Sequence, residues 1–167
     1  ALENGYGDIV MAGTTITDTR QESADFTNPV SKPLREILIT GPSAPAIGGL
    51  EDLSGSTVHT RLSSSYADSV LQLSERLKAQ GRAGIRIEAV SESLEDEDLI
   101  EMVDAGLLPW AIVDSYKPQM WREVFTRVSV REDLVLREGA RLAWAIRQGS
   151  PQLKQFLNTF LRDNREG

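Results

Sequence analysis

Near its start the chain reads GDIVMAGTTITDTR over residues 7–20, and DFTNP follows at residues 25–29. The apolar run from Asp8 to Ala12 predicts a strand, and the hydroxyl-rich turn after it ends in a single arginine, Arg20. A guanidinium fork beside neutral hydroxyl donors suits a small carboxylate, so this segment predicts an anion-binding corner. The residues alone favour a plainer interpretation, in which Arg20 pairs on a surface turn with Asp18, Glu22 or Asp25.

The composition indicates a globular domain whose negative net charge disfavours binding to anionic partners. With 167 residues, 40% of them hydrophobic, the chain is long enough for one good-sized core or two small ones. A net charge of -7 would repel phosphate backbones and anionic lipid surfaces, so nucleic acid is not expected as a partner. Because the chain has no cysteine and one histidine, it offers no thiol nucleophile and no histidine-rich metal site, and we predict neither metal nor cofactor.

Predicted strands alternate with predicted helices along the rest of the sequence. Further strands are predicted at Arg35 to Thr40, Thr57 to Thr60, Ile85 to Val90, Trp110 to Val113 and Arg141 to Arg147. Helices are predicted from the serine run at Ser63 to Gly81, from a capping box of Ser93 and Asp96 to Gly106, from Lys117 to Phe125, and from Pro151 onward. A helical turn is expected at Leu50 to Leu53, and Val128 to Val135 is ambiguous.

This alternation predicts an α/β domain with a largely parallel sheet, in which ligands collect at the carboxyl ends of strands. Polar residues follow three predicted strands, at Thr14-Thr15, Ser64-Ser65 and Asp114. The pattern therefore predicts that these three positions line one shared ligand-binding crevice.

Each of these positions also has a plainer interpretation. Any serine of the run at Ser63 can cap the helix that follows it, and Asp114 can cap the next helix. However, the free N–H groups and the dipole of a helix N-terminus also form an anion site. The acidic run from Glu92 to Asp98 is typical of a solvated helix start.

The opening segment closely resembles the end of the first lobe in the family 3 extracellular solute-binding proteins, which bind amino acids and similar small molecules. In that family Thr-x-x-Arg before Asp-Phe-Thr-x-Pro holds the ligand's α-carboxylate, which implies this role for Arg20, with Thr15 donating a hydroxyl. The stretch Ser63-Ser64-Ser65-Tyr66 resembles the family's Gly-Ser-Ser-Tyr turn, so Ser64 and Ser65 are implied to meet the same carboxylate, although Ser63 replaces the usual Gly. Asp114 stands where the family places the partner of the α-ammonium group.

The resemblance implies the fold of a type II periplasmic-binding protein, an α/β fold with its sheet flanked by helices. It places the end of lobe one at residues 1–36, lobe two with its first hinge strand at 37–140, and the returning strand and last helix at 141–167. Lobe two is then complete and lobe one partial, because the strand, loop, helix and second strand that normally open lobe one do not precede Ala1. A bound amino acid would bridge Arg20 on one lobe and Asp114 on the other, so that hinge closure completes the site.

Within the family, the C-terminal half is most similar to the sensor module of membrane-bound lytic murein transglycosylases of the F type. This resemblance implies a non-catalytic regulatory module that senses an amino acid or a muropeptide, in a parent enzyme that acts on peptidoglycan through a lysozyme-like domain following this chain. It also implies a periplasmic location, with the parent anchored in the outer membrane. The similar stretches are Gly106 to Asp114, Trp121 to Phe125, Leu136 to Gly139, Leu142 to Arg147 and Ser150-Pro151.

Two other functions remain open from the sequence. The receptor component of an amino-acid ABC transporter would use the same pocket, and the sequence downstream of this chain would separate it from the sensor. Catalysis within the chain is a further alternative, which murein cleavage by this chain alone would reveal. The apolar face of the last helix also offers a surface on which a second copy of the chain could pair.

Overall fold

A computed structural model describes residue 2 and residues 4–164, which form two compact units. Unit 1 comprises Ala1–Pro33 and Gly139–Gly167, and unit 2 comprises Leu34–Glu138. The strands are β1 (Ile9–Thr15), β2 (Ala24–Phe26), β3 (Leu34–Thr40), β4 (Thr57–Thr60), β5 (Arg86–Ala89), β6 (Trp110–Asp114), β7 (Ser129–Ala140) and β8 (Leu142–Arg147). The α-helices are α1 (Asp18–Gln21), α2 (Ser65–Ala79), α3 (Asp96–Asp104), α4 (Lys117–Trp121) and α5 (Pro151–Asp163), and a 3₁₀ turn covers Leu50–Leu53.

Unit 1 is built on a three-stranded sheet in the order β1-β8-β2. Both outer strands run antiparallel to β8, and Thr15 at the end of β1 lies opposite Leu142. The core of this sheet is small, with Ala24, Phe26, Ala143 and Ala145 buried together. Helix α5 is amphipathic but leaves Phe156 67% exposed.

Unit 2 holds the larger core because its sheet, in the order β6-β3-β7, is covered on both faces. One face packs Leu38 and Ile112 against Tyr66 and Val70 of α2. The other face packs Ile39 of β3 and the residues Ala111 and Val113 of β6 against α3. Alternation along β3 and β6 therefore places Glu36 and Asp114 on the α2 side. A separate pair of strands, β4 and β5, runs parallel.

The α/β class with helices flanking the sheets is confirmed, but the expectation of a largely parallel sheet is wrong. Strand β3 pairs antiparallel with β6, as β1 and β2 do with β8. Strong hydrophobic runs indicate burial on both faces but do not report strand direction, because an antiparallel strand covered by two layers has the same pattern.

Several local predictions are also corrected. The segment leading to Arg20, expected as a turn, contains α1, and β2 follows at residues for which no element was predicted. Helix α3 is not capped by Ser93: it begins at Asp96, and the N–H of Glu95 donates to Asp98 Oδ2 at 2.7 Å. The ambiguous stretch at Val128 to Val135 lies largely in β7. Among the helices within residues 4–164, none has the length and apolar character needed to cross a bilayer.

Candidate functional site

In unit 1 the structure brings Arg20 and Thr15 together. Thr17 caps α1 by accepting the backbone N–H of Arg20 at 3.2 Å, which fixes where the arginine leaves the turn. The guanidinium then folds back, and Nη1 donates to the carbonyl oxygen of Thr15 at 2.9 Å. In the same unit, Asp25 accepts the backbone N–H of Gly149 at 3.0 Å. The guanidinium is thus held at the carboxyl end of β1 by the backbone.

In unit 2 the serine turn leads directly into α2. Ser64 is the N-cap residue, and its Oγ accepts the N–H of Ala67 at 3.4 Å while donating to the carbonyl of Arg61 at 2.8 Å. The hydroxyl hydrogen of Ser64 is therefore used within the turn. Ser65 is buried as the first residue of the helix. Ser63 has an ordinary negative φ, so its replacement of a family Gly causes no backbone strain, and its hydroxyl donates to Glu92.

Asp114 ends β6 as a buried carboxylate that is 5% exposed. Its Oδ1 has no hydrogen-bond partner among the described residues, and it forms no ion pair there. Burial, together with the charges of Glu36 and Asp96, raises the pKa of Asp114 from 3.8 to about 6. Asp114 lies in the strand and does not cap α4, whose N-cap is Tyr116. Although the charge of Lys117 opposes the rise in pKa, a buried carboxylate without an ion-pair partner favours a positively charged ligand group.

Tyr66 connects Asp114 to the start of α2. Its hydroxyl accepts the backbone N–H of Asp114 at 3.1 Å and donates to Asp96 Oδ2 at 2.8 Å. Burial, followed by the charges of Asp114 and Asp96, raises the pKa of Tyr66, so the hydroxyl keeps its proton and remains a donor. The N-terminus of α2 and the end of β6 are thereby held in one arrangement within unit 2.

Asp96 is the centre of an ion-pair cluster that the sequence interpretation missed. It is 4% exposed, whereas the acidic run around it was expected to be solvated. Arg61 Nη2 lies 2.6 Å from Asp96 Oδ1, and Lys117 Nζ lies 2.9 Å from Asp96 Oδ2. Burial opposes the charged form of Lys117, but its bond to Asp96 and the charge of Glu97 outweigh that effect and raise the pKa of Lys117. The cluster anchors the serine turn to α3.

Glu36 is a second charged residue that the motifs did not single out. It is fully buried in β3, where Ser69 donates its hydroxyl to Oε2 and Arg137 Nε lies 3.4 Å from the same oxygen. Arg137 Nε also donates to Ser69 Oγ at 2.9 Å. Glu36 Oε1 has no hydrogen-bond partner among the described residues.

Neither metal-ligating groups nor the cleft in unit 1 points to a ligand site other than the residues described above. No group of three or more acidic, histidine or cysteine side chains within the described part of the chain could hold a metal ion. A cleft of about 640 Å³ in unit 1 lies between Asn28–Val30 and α5, and it is lined by neither Thr15 nor Arg20. The groups suited to small charged ligands are instead a guanidinium and a helix N-terminus, which suit an anion, and the carboxylate of Asp114, which suits a cation.

Comparison with known sequences agrees with the resemblance inferred from the motifs. The model of the bacterial extracellular solute-binding proteins, family 3, matches residues 1–167. A membrane-bound lytic murein transglycosylase F from Desulfosudis oleivorans is 29% identical over 167 residues, which cover 99% of this chain and 35% of that protein. This chain therefore spans about a third of the length of that relative.

Comparison with solved structures gives the same fold. The substrate-binding protein of an amino acid ABC transporter superposes with a TM-score of 0.78 at 17% identity, over 98% of this chain and 67% of that one. An ancestral arginine-binding protein bound to arginine has a TM-score of 0.77 at 21% identity, over 98% of this chain and 68% of that one. At these identities the likeness establishes the fold of periplasmic binding proteins.

Proposed function

Because the chain belongs to the family 3 bacterial extracellular solute-binding proteins, we propose that it binds an amino acid or a peptidoglycan-derived peptide through the ligand's two charged ends. Arg20 and Thr15 bind the carboxylate, with the α2 N-terminus at Ser64 and Ser65 as a further donor surface. Asp114 binds the ammonium group. The chain performs no chemistry on the ligand.

The observation that carries this proposal is the state of Asp114. A buried carboxylate without a cation is costly, and proteins usually pair such a group or protonate it. Asp114 has no such pair among the described residues, and burial raises its pKa to about 6. An ammonium group would supply both the missing charge and a donor for Oδ1. The neighbouring Asp96 lacks this capacity, because Arg61 and Lys117 already occupy it.

We further propose that ligand binding is the input of a regulatory module in a periplasmic lytic transglycosylase that is anchored in the outer membrane. The transglycosylase relative supports this role, with a lysozyme-like catalytic domain outside the present chain. Ligand binding would shift a hinge equilibrium that the catalytic domain responds to. The alternative role, receptor of an amino acid ABC transporter, is supported by the structural neighbour of that description. A lysozyme-like domain downstream in the reading frame favours the sensor, and a stop codon there favours the receptor.

The binding function can be tested by thermal unfolding of the full chain encoded by the reading frame. The twenty standard L-amino acids and a peptidoglycan tetrapeptide are each added at pH 8, where Asp114 is ionised. A ligand present at 100 times its Kd stabilises the folded state by about 2.7 kcal/mol, which is a readily measured shift. Stabilisation by one or a few of these compounds supports the proposal, and no response to any of them contradicts it.

Removing the guanidinium should weaken the carboxylate contact. We expect Arg20→Ala to weaken binding of the most stabilising compound by about 10- to 100-fold, since charge-assisted hydrogen bonds contribute about 1.5–3 kcal/mol. Titration calorimetry measures the change in Kd. Arg162→Ala is a matched control, because Arg162 lies in the same unit and its exposed side chain pairs with Asp163. Equal affinities for Arg20→Ala and Arg162→Ala would refute the assignment of Arg20.

A further inference from the structure

Two buried carboxylates face each other across neighbouring strands of unit 2. Glu36 of β3 and Asp114 of β6 are direct partners in the antiparallel register. Directly opposite residues point to the same face, with Cβ atoms about 4.5–5.5 Å apart. Glu36 is 0% exposed and Asp114 is 5% exposed, and each has one oxygen without a hydrogen-bond partner among the described residues. Like charges placed this closely in a protein interior repel strongly.

The surrounding cations are distributed unevenly over the buried carboxylates. Asp96 forms two close ion pairs, and Glu36 lies beside one guanidinium, but Asp114 has none within the described part of unit 2. Besides burial, the groups that shift the pKa of Asp114 are Glu36 of β3, Asp96 of α3, Lys117 of α4 and Tyr66 of α2. Arg137 of β7 pairs with Glu36, and Arg61, which precedes α2, pairs with Asp96.

We propose that Glu36 is a specificity-determining residue of the Asp114 site, because its buried negative charge restricts that site to ligands that carry an ammonium group and disfavours those with a neutral hydroxyl group. Glu36 does not touch the ligand, since its carboxylate is fully buried, and it acts through Asp114 as a positioning residue. This inference rests on the proposed function, in which Asp114 binds the ligand's ammonium.

The discrimination follows from the charge of the pair. An ammonium group placed at Asp114 offsets the repulsion between the two carboxylates, whereas a hydroxyl group supplies one hydrogen bond and no charge. Glu36 should therefore strengthen the preference for an amino acid over the corresponding 2-hydroxy acid. Ser69 and Arg137 hold Glu36 in place, so its charge stays at a fixed position beside Asp114.

The same pair predicts how the preference depends on pH. Asp114 has a raised pKa of about 6, so below that value the free site increasingly holds a proton. An ammonium ligand must displace this proton, and its affinity should fall by up to about tenfold for each pH unit below 6. A neutral hydroxyl group can bind the protonated carboxyl, so the preference for the ammonium ligand should shrink as the pH is lowered.

The first test needs no ligand. Carbon-13 NMR of the carboxyl groups follows the titration of Asp114 in the full chain, in Glu36→Gln and in the control Glu132→Gln. The control removes an exposed carboxylate of β7 that pairs with Arg35, which lies on the same strand as Glu36. We expect a midpoint near 6 in the wild type and in Glu132→Gln, and a midpoint about one unit lower in Glu36→Gln. An unchanged midpoint in Glu36→Gln, or a wild-type midpoint below about 4.5, would overturn the inference.

A second variant separates charge from disturbed packing. Ser69→Ala removes the hydroxyl that binds Glu36 but keeps both carboxylates. If the charge of Glu36 is the cause, the midpoint of Asp114 stays near 6 in Ser69→Ala and falls by about one unit in Glu36→Gln. If the two variants lower the midpoint equally, the effect is structural and the inference is wrong.

The ligand test compares the most stabilising L-amino acid of the thermal screen with its 2-hydroxy analogue. We expect the wild type at pH 8 to prefer the amino acid by about 100-fold, and Glu36→Gln to lower that ratio about tenfold. An unchanged ratio refutes the specificity role even if the amino acid binds. If the midpoint of Asp114 falls in Glu36→Gln but no compound in the screen binds, the proposed function fails and this role fails with it, while the electrostatic coupling of the two carboxylates stands.

Discussion

Asp114→Asn should raise the free energy of unfolding at pH 8 by up to about 3 kcal/mol while it abolishes stabilisation by amino acids. The gain arises because folding shifts the pKa of Asp114 from 3.8 to about 6. Each pKa unit of this shift means that folding disfavours the ionised carboxylate by roughly 1.4 kcal/mol. Asparagine has a similar shape and no charge, so it removes this cost. It also removes the charge that is proposed to hold the ligand's ammonium group. Such an exchange of stability for binding is common at functional sites.

The size of this effect depends on pH and can be checked by urea unfolding. In the unfolded chain Asp114 ionises near pH 3.8, and in the folded protein it ionises near pH 6. The destabilisation is therefore absent well below pH 3.8, grows as the pH rises through this interval, and is complete above about pH 6. We expect Asp114→Asn to gain stability at pH 8 and little or none at pH 4. Asp133→Asn, which removes an exposed carboxylate bonded to Arg131, should give no gain at either pH. Equal gains for Asp114→Asn at both pH values would show that the buried charge of Asp114 does not destabilise the fold.

Asp96→Ala should be the most damaging of the substitutions considered. It removes the common partner of Arg61, Lys117 and Tyr66, and leaves two largely buried cations and a buried hydroxyl with fewer acceptors. Removing one member of a buried ion pair typically costs about 3–5 kcal/mol. Because Tyr66 would lose its acceptor, the position of Asp114 should also become less defined and the response to amino acids should weaken.

Urea unfolding followed by tryptophan fluorescence measures this loss. Glu75→Ala is the control, since Glu75 forms an exposed ion pair with Lys78 on α2, and exposed pairs contribute little. A loss in Asp96→Ala no larger than the loss in Glu75→Ala would show that the cluster around Asp96 does not support unit 2.

The sequence predicted the features that depend on local pattern. Helical spacing of apolar residues predicted α2 and α5, and the short apolar run before Asp114 predicted β6. Arg20 came from the Thr-x-x-Arg motif, which carries its spacing in the sequence itself, whereas Ser64, Ser65 and Asp114 came from the resemblance of their stretches to family positions. Their roles in binding remain proposals.

Features that depend on contacts between distant segments could not be predicted in the same way. Asp96 looked like part of a solvated helix start, because its run is acidic and the cations that bury it, Arg61 and Lys117, lie 35 and 21 positions away in the sequence. Strand direction was missed because burial on both faces gives the same apolar run in either orientation. Glu36 did leave a signal: it shares the buried face of β3 with Leu38, and a charge at such a position requires a partner.

The proposed site requires that Arg20 and Asp114 bind the same amino acid. Titration calorimetry at pH 8 tests this requirement most directly, with the most stabilising amino acid of the screen added in turn to the full chain, Arg20→Ala and Asp114→Asn. We expect a measurable Kd for the wild type, a Kd at least about tenfold weaker for Arg20→Ala, and no detectable binding for Asp114→Asn. Wild-type affinity in either variant would contradict that requirement.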